Sequence, residues 1–196
     1  MMHLRTVAIL RSFGPEATKE LARRSWDAGV DLVEVPVQGD AGWAALAAVA
    51  EIADGRPFGA GTVLTSVDVR RAVDLGASVI ISPGIDAAVV DATLAAGALP
   101  LPGVFTPSDV TLAVSLGVAT CKLFPASLVG PQWVSQIRGP FPKLGVVAVG
   151  GVGLANAADY LRAGATGVGF GSSIEDVLAA GDPAAEIAAL NALSAS

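Results

Sequence analysis

Lysine is scarce in this chain, and one of its three lysines stands where lysine is seldom found. Lys19 and Lys143 sit in polar or turn-like surroundings. Lys122 lies inside Val118-Ala119-Thr120-Cys121-Lys122-Leu123-Phe124-Pro125-Ala126, a run that reads as a short buried strand. An amine set among small and apolar side chains loses hydration, and desolvation disfavours its charged form. A neutral lysine amine is the nucleophile of Schiff-base chemistry. The bland alternative is a stem packed in the core with its head reaching water at the strand end. Glu34 repeats the anomaly. It is embedded in Leu32-Val33-Glu34-Val35-Pro36, an otherwise apolar run where an unpaired carboxylate would be costly. Lys122 is the obvious partner, and a carboxylate beside an amine nucleophile can move protons for it. A purely structural Lys–Glu pair is the other reading, although buried ion pairs are poor stabilisers by themselves.

Composition narrows what these residues can belong to. The 196 residues are 53% hydrophobic and 15% charged, which excludes disorder and supplies a sizeable core. Uncharged runs are short and broken by Gly and Pro, as in Leu99-Pro100-Leu101-Pro102-Gly103, so no membrane span is expected. Strands buried on both faces, as in parallel sheets, explain the apolarity better. Met1-Met2-His3-Leu4-Arg5 runs directly into a strand and shows no signal-peptide core. The lone cysteine, Cys121, cannot form an internal disulfide and fits a reducing cytoplasm. His3 is the single histidine, which argues against His-rich metal sites and a central-histidine triad. A net charge of −6 argues against nucleic acid as a partner.

The elements that must carry Lys122 and Glu34 alternate, strand then helix, eight times. The expected strands are Thr6–Leu10, Asp31–Pro36, Phe58–Val63, Ser78–Ser82, Leu99–Val104, the lysine strand, Gly145–Val149 and Gly167–Phe170. Helices are expected between them: from Gly14-Pro15 to about Ala28, Trp43–Ala53, a helix capped by Ser66 to about Leu75, and Ala87–Ala96. Further on, Thr106-Pro107-Ser108-Asp109 opens one ending near Leu116, followed by Pro131–Ile137, Asn156–Ala163 and helical segments to the C-terminus. Gly29, Gly76, Gly97, Gly117 and Gly164 each stand between a helix and a strand, the position past a helix end that favours glycine. Units spaced by roughly 20–25 residues predict an α/β fold, a single-domain (β/α)₈ TIM barrel over residues 1–196 with small loops and no room for a second domain. An open doubly wound sheet is disfavoured by the eight units and by the lack of a Gly-x-Gly-x-x-Gly after the first strand.

Catalytic groups of such barrels sit at the C-terminal ends of the strands. Arg11, Glu34, Thr62, Ser82-Pro83 and Lys122 fall there, as do the glycine turns Gly150-Gly151 and Gly171-Ser172-Ser173 after the last two strands. Glycine turns on the late strands are where barrels hold phosphate, because backbone N–H groups approach an anion closely only without side chains in the way.

Phe58-Gly59-Ala60-Gly61-Thr62-Val63-Leu64, Ser82-Pro83-Gly84, Pro102-Gly103 with Thr106-Pro107-Ser108-Asp109, Lys122-Leu123-Phe124-Pro125-Ala126 and Gly150-Gly151-Val152 follow in order along nearly the whole chain. Together they resemble the 2-keto-3-deoxy-6-phosphogluconate/galactonate aldolase family, class I pyruvate aldolases on a (β/α)₈ barrel. The resemblance implies Lys122 as the Schiff-base lysine and Glu34 as the proton shuttle. It implies Thr62, Pro83 and Phe124 at the substrate, and Gly150, Gly151, Gly171 and Ser172 at its phosphate. It also implies a homotrimer, for which the apolar helices Ala44–Ala53 and Ala184–Leu193 offer contact surface, although a buried-helix reading serves them equally. One position departs from the pattern. The phosphogluconate branch has a basic residue shortly after the glutamate strand, where this chain has Gln38. Gln38, the Glu34-Val35-Pro36 wording and Gly130-Pro131-Gln132-Trp133 are more like the phosphogalactonate branch. Arg11 then becomes the expected carboxylate ligand, since a guanidinium binds a carboxylate bidentately.

The expected activity is reversible cleavage of a 2-keto-3-deoxy-6-phospho sugar acid to pyruvate and glyceraldehyde 3-phosphate by a cytoplasmic enzyme. It calls for no metal and no organic cofactor. The rivals are a 4-hydroxy-2-oxoglutarate aldolase, with no substrate phosphate, and a phosphosugar-binding barrel without catalysis. The second gives no reason for carrying both Lys122 and Glu34 in apolar strands.

Overall fold

A computed structural model of the chain describes residues 4–193; His3 lies outside them. Nine strand segments form one sheet: β1 (Thr6–Ile9), β2 (Leu32–Pro36), β3 (Phe58–Gly61), β4 (Val79–Ile81), β5 (Leu99–Leu101), β6 (Gly103–Val104), β7 (Thr120–Leu123), β8 (Gly145–Val149) and β9 (Gly167–Phe170). Their order is β5-β4-β3-β2-β1-β9-β8-β7-β6, and every pairing is parallel. The two ends of that order, β5 and β6, are successive pieces of the stave expected over Leu99–Val104. The sheet therefore curls into a nearly closed barrel of eight staves.

Proline explains the split. The Pro102 carbonyl accepts from Lys122 N–H at 2.9 Å on the β7 side, whereas Leu99 N–H donates to Ser78 at 2.9 Å on the β4 side. Pro100 and Pro102 thus occupy the alternate positions whose N–H would face β7, and proline has none to give. Only beyond Pro102 does pairing with β7 begin.

The helices α1 (Pro15–Asp27), α2 (Gly39–Ile52), α3 (Ser66–Asp74), α4 (Ala87–Ala95), α5 (Pro107–Ser115), α6 (Pro131–Ile137), α7 (Leu154–Arg162), α8 (Ile174–Leu178) and α9 (Pro183–Ala192) surround the sheet. Three starts differ from expectation; one is α7, which begins at Leu154, two residues before Asn156. Thr65, not Ser66, caps α3, because its hydroxyl accepts from Asp68 N–H at 3.1 Å while Ser66 is already helical. Helix α2 begins at Gly39 instead of Trp43. A Cβ on Gly42 would lie 2.6 Å from the Pro36 carbonyl oxygen, so glycine there lets the first helical turn pass close over the end of β2. The expected opening of α5 is present as a capping box. Thr106 accepts from Asp109 N–H at 3.3 Å, and the Asp109 carboxylate accepts from Thr106 N–H at 2.8 Å.

The two faces of the strands build two cores. The outward face packs Val33, Val35, Ile80, Leu123, Ala148 and Phe170 against helix residues such as Leu46, Val49, Val110 and Leu161. The inward face forms a small separate cluster of Val7, Ile9, Leu32, Val79, Ile81, Leu101, Val147 and Val149. The pairing register runs Ile9, Glu34, Gly59, Val79 across one half and Gly103, Lys122, Val147, Gly167 across the other, so Glu34 and Lys122 share this inward face. Glycines stand among the inward positions at 59, 61, 103, 145, 167 and 169. They free the space into which two long side chains reach.

Among the described residues no helix is long and apolar enough to cross a membrane.

Candidate active site

Glu34 and Lys122 come from β2 and β7, four staves apart in either direction around the ring and hence opposite each other. Their side chains span the lumen and meet, with Lys122 Nζ 3.8 Å from Glu34 Oε1 and exposures of 4% and 1%. That separation allows charge attraction but exceeds a hydrogen bond. Glu34 Oε1 has no hydrogen-bond partner among the described residues. A buried carboxylate oxygen left without a partner costs free energy, and such exceptions concentrate where a group must exchange protons. The carboxylate is also tightly seated, because a Cβ at Gly61 would lie 2.2 Å from Oε1.

Above this pair a cavity of about 440 Å³ opens at the C-terminal ends of the strands. It is lined by Ile9, Arg11, Gln38, Thr62, Pro83, Lys122, Phe124, Val149, Gly150, Gly151, Gly171 and Ser172. Every residue expected at the reaction, the substrate or its phosphate lines it except Glu34, which lies beneath, against the amine; Ser82 and Ser173 do not line it. Arg11 and Lys122 are the charged lining residues, both cationic, in a chain of net charge −6. The cavity therefore suits an anionic ligand of small-metabolite size.

Each wall is held by its own local device. The Arg11 guanidinium donates to Gln38 Oε1, so the tips after β1 and β2 form one hydrogen-bonded edge. Thr62 follows Gly61 with φ +58, uncommon for a β-branched residue. Hydrogen bonds from Val37 N–H to the Gly61 carbonyl (2.9 Å) and from Val63 N–H to the Ile81 carbonyl (3.1 Å) fix this turn on both sides. Pro83 is presented by a bond from the Ser82 hydroxyl to the Gly84 carbonyl at 2.7 Å. The Phe124 ring lies with its centroid 5.1 Å from Lys122 Nζ, within cation–π range.

The Gly150-Gly151 turn has φ of +95 and +72, conformations natural to glycine. A Cβ on Gly151 would also meet Ser127 Cβ at 2.5 Å. Ser127 N–H donates to the Gly150 carbonyl at 3.0 Å. Asn156 closes the turn from the other side: its amide donates to the Gly151 carbonyl at 3.0 Å and accepts from Gly153 N–H at 3.0 Å. The neighbouring turn is tied in by the Ser173 hydroxyl, which donates to the Val152 carbonyl at 2.6 Å. Two glycine turns from β8 and β9 thus stand side by side, braced to offer backbone to an anion.

Sequence reasoning missed the apolar floor of Ile9 and Val149 and the clamp at Asn156. The first was available from strand alternation in register with Glu34. Asn156 carries no signal at a distance, since its role depends on the turn it closes. A larger concavity of about 690 Å³ lies between α2 and α3, lined by Asp40, Trp43, Ala44, Ala47, Val67, Arg70, Arg71, Asp74 and Leu75. It is outside the barrel, away from Lys122 and Glu34, and Arg71 covers part of it by stacking on the Trp43 ring at 4.1 Å. Volume alone points there; the convergence of functional groups points to the smaller cavity. Among the described residues no group of three or more His, Cys, Asp or Glu is placed to hold a metal ion.

Known proteins resemble this chain over nearly its whole length. The family described as "Aldolase: KDPG and KHG aldolase" matches residues 1–190. A probable 2-dehydro-3-deoxy-6-phosphogalactonate aldolase of Rhizobium meliloti (strain 1021) is 35% identical over 179 residues, 90% of this chain and 84% of that protein. A native KDPGal structure superposes with a TM-score of 0.87 at 30% identity, covering 97% of this chain and 96% of the other. A KDPG aldolase from Legionella pneumophila, with pyruvate captured at low pH as a covalent carbinolamine intermediate, superposes with a TM-score of 0.82 at 25% identity, covering 99% and 96%.

Proposed function

The chain belongs to the KDPG and KHG aldolase family and is a class I aldolase; from that premise we propose that Lys122 and Glu34 are its reacting pair and a 2-keto-3-deoxy-6-phospho sugar acid its substrate. The observation that carries the proposal is the buried 3.8 Å approach of Lys122 Nζ to an unpartnered Glu34 Oε1 at the floor of the cavity. In this reading the Lys122 amine adds to the C2 ketone to give a carbinolamine, and loss of water leaves an iminium. Removal of the C4 hydroxyl proton breaks the C3–C4 bond, and its electron pair enters the iminium as an enamine. Glyceraldehyde 3-phosphate departs. Protonation at C3 and hydrolysis then release pyruvate and restore the amine. Glu34, directly or through a water, takes and returns the protons of these steps. No step requires a metal or an organic cofactor.

Arg11 and Thr62 are suited to the substrate carboxylate, Pro83 and Phe124 to packing against its carbon chain, and the turns at Gly150-Gly151 and Gly171-Ser172 to its phosphate. The phosphate turns support this substrate class over the unphosphorylated one. Gln38, hydrogen-bonded to Arg11, and the likeness to phosphogalactonate aldolases support the galactonate epimer. A cytoplasmic homotrimer completes the proposal. The groove between α2 and α3, whose lining includes Val67 at 61% exposure, supports assembly there.

Borohydride reduction in the presence of pyruvate tests the mechanism. The expected result is one added mass located on Lys122; an adduct on Lys19 or Lys143 instead overturns it. A side-by-side assay of the gluconate and galactonate epimers decides the branch.

A further inference from the structure

Gly61 occupies an inward position of β3, next to Glu34 on β2. An ideal Cβ on it would lie 2.2 Å from Glu34 Oε1 and 2.8 Å from both Cδ and Cγ; the three nearest atoms all belong to that one side chain. We propose that Gly61 is a positioning residue for proton transfer: the volume its missing side chain leaves is the seat of the Glu34 carboxylate, and that seat aims Oε1 at Lys122. The inference rests on the reading of Glu34 as the proton shuttle.

Three observations separate Gly61 from a glycine needed by the backbone. Its φ is not left-handed, so an L-residue fits the main chain. Two other inward glycines are obstructed by main chain instead: a Cβ on Gly59 would meet the Val79 carbonyl oxygen at 2.7 Å, and one on Gly103 the Pro83 carbonyl oxygen at 2.1 Å. Those two are required for strands and turns to approach. Gly61 is obstructed first by a side chain, which can move. Its main chain, by contrast, is pinned by pairing with Pro36 and by the 2.9 Å bond from Val37 N–H. A methyl group at position 61 must therefore displace the carboxylate and not the strand.

Displacement matters because no hydrogen bond holds Oε1. Packing against Gly61 and attraction to Lys122 fix where it sits. Proton transfer needs the acceptor within about 2.6–3.2 Å of the donor or one water away, and a misplacement of about 1 Å can cost on the order of 10²-fold in rate.

The test is Gly61→Ala measured beside Glu34→Gln, Gly59→Ala and the double variant Gly61→Ala/Glu34→Gln. Gly61→Ala should melt close to the parent and well above Gly59→Ala. Its kcat should fall about 10²-fold with KM changed only a few-fold. Its kcat–pH profile should change in the same way as that of Glu34→Gln. In the Glu34→Gln background the Gly61→Ala change should cost little further turnover, because the group it displaces has already lost its proton-transfer function. A parental kcat in Gly61→Ala, a melting temperature as low as that of Gly59→Ala, or an undiminished further loss when Gly61→Ala is added to Glu34→Gln overturns the inference. Normal turnover in Glu34→Gln instead overturns the proton-shuttle reading, whatever Gly61→Ala does.

Discussion

Lys122 and Glu34 face each other across the barrel lumen from opposite staves, 3.8 Å apart, and among the described residues they are the buried charged side chains. A pair retained for stability would be expected to close into a hydrogen bond, since an unclosed buried pair keeps most of its desolvation cost. The gap leaves neither group committed to a hydrogen bond with the other.

Replacing Lys122 with Met matches the stem volume and removes the amine. Lys122→Met should abolish turnover and pyruvate trapping while circular dichroism and melting stay close to the parent. Loss of folded protein would show that the lysine is needed for structure.

Glu34→Gln keeps shape and hydrogen-bonding capacity but cannot accept a proton. General acid–base catalysis is worth about 10²–10⁴-fold, and kcat should fall by that order. Borohydride with pyruvate and long incubation should still label Lys122, because the amine remains. A glutamine variant with near-normal turnover would remove Glu34 from the mechanism.

Asn156 is half-buried and joins the Gly151 carbonyl to the Gly153 N–H, so Asn156→Ala loosens the turn proposed to hold the substrate phosphate without touching Lys122. KM for the phosphorylated substrate should rise about tenfold or more, from the loss of about two hydrogen bonds worth roughly 1 kcal/mol each. Inorganic phosphate should compete with substrate in the parent and only weakly in the variant. Pyruvate trapping should be little changed. Insensitivity of the parent to phosphate would favour an unphosphorylated substrate.

Lys122 and Glu34 were legible because each is a charge in an apolar strand, an anomaly visible without knowing its neighbour. The glycines past the helix ends made the eight units countable for a similar reason: their conformation is a local demand. Features that depend on which neighbour a group faces were not legible. The break at Pro102 follows from its N–H position pointing toward β7, which requires the sheet register. The choice of Thr65 over Ser66 as a cap turns on one residue of helix phase between two competent hydroxyls. The Arg11–Gln38 contact joins two loops 27 residues apart, and no spacing rule announces it. The seat at Gly61 was hidden inside a motif that reads equally well as a turn.

Cys121 sits in β7 immediately before Lys122, fully buried with its side chain on the opposite, outward face. Burial pushes its thiol up to about 12 from an ordinary 9.0. The folded state thus holds the thiol protonated at a pH where the unfolded chain would release the proton. The stabilisation relative to the ionised unfolded thiol is intact below about pH 9 and is lost progressively as pH rises toward 12. The loss approaches on the order of 4 kcal/mol if the whole shift is expressed. Denaturant titrations of the parent and of Cys121→Ala should therefore diverge in slope against pH between 9 and 12, the parent losing stability faster. At pH 8 iodoacetamide should leave the native thiol unmodified and alkylate it readily in denaturant, because the thiolate is the nucleophile. Rapid alkylation of the native enzyme at that pH, with activity retained, would show that the outward face of β7 opens on its own and that the amine beside Cys121 is less rigidly held than the packing implies.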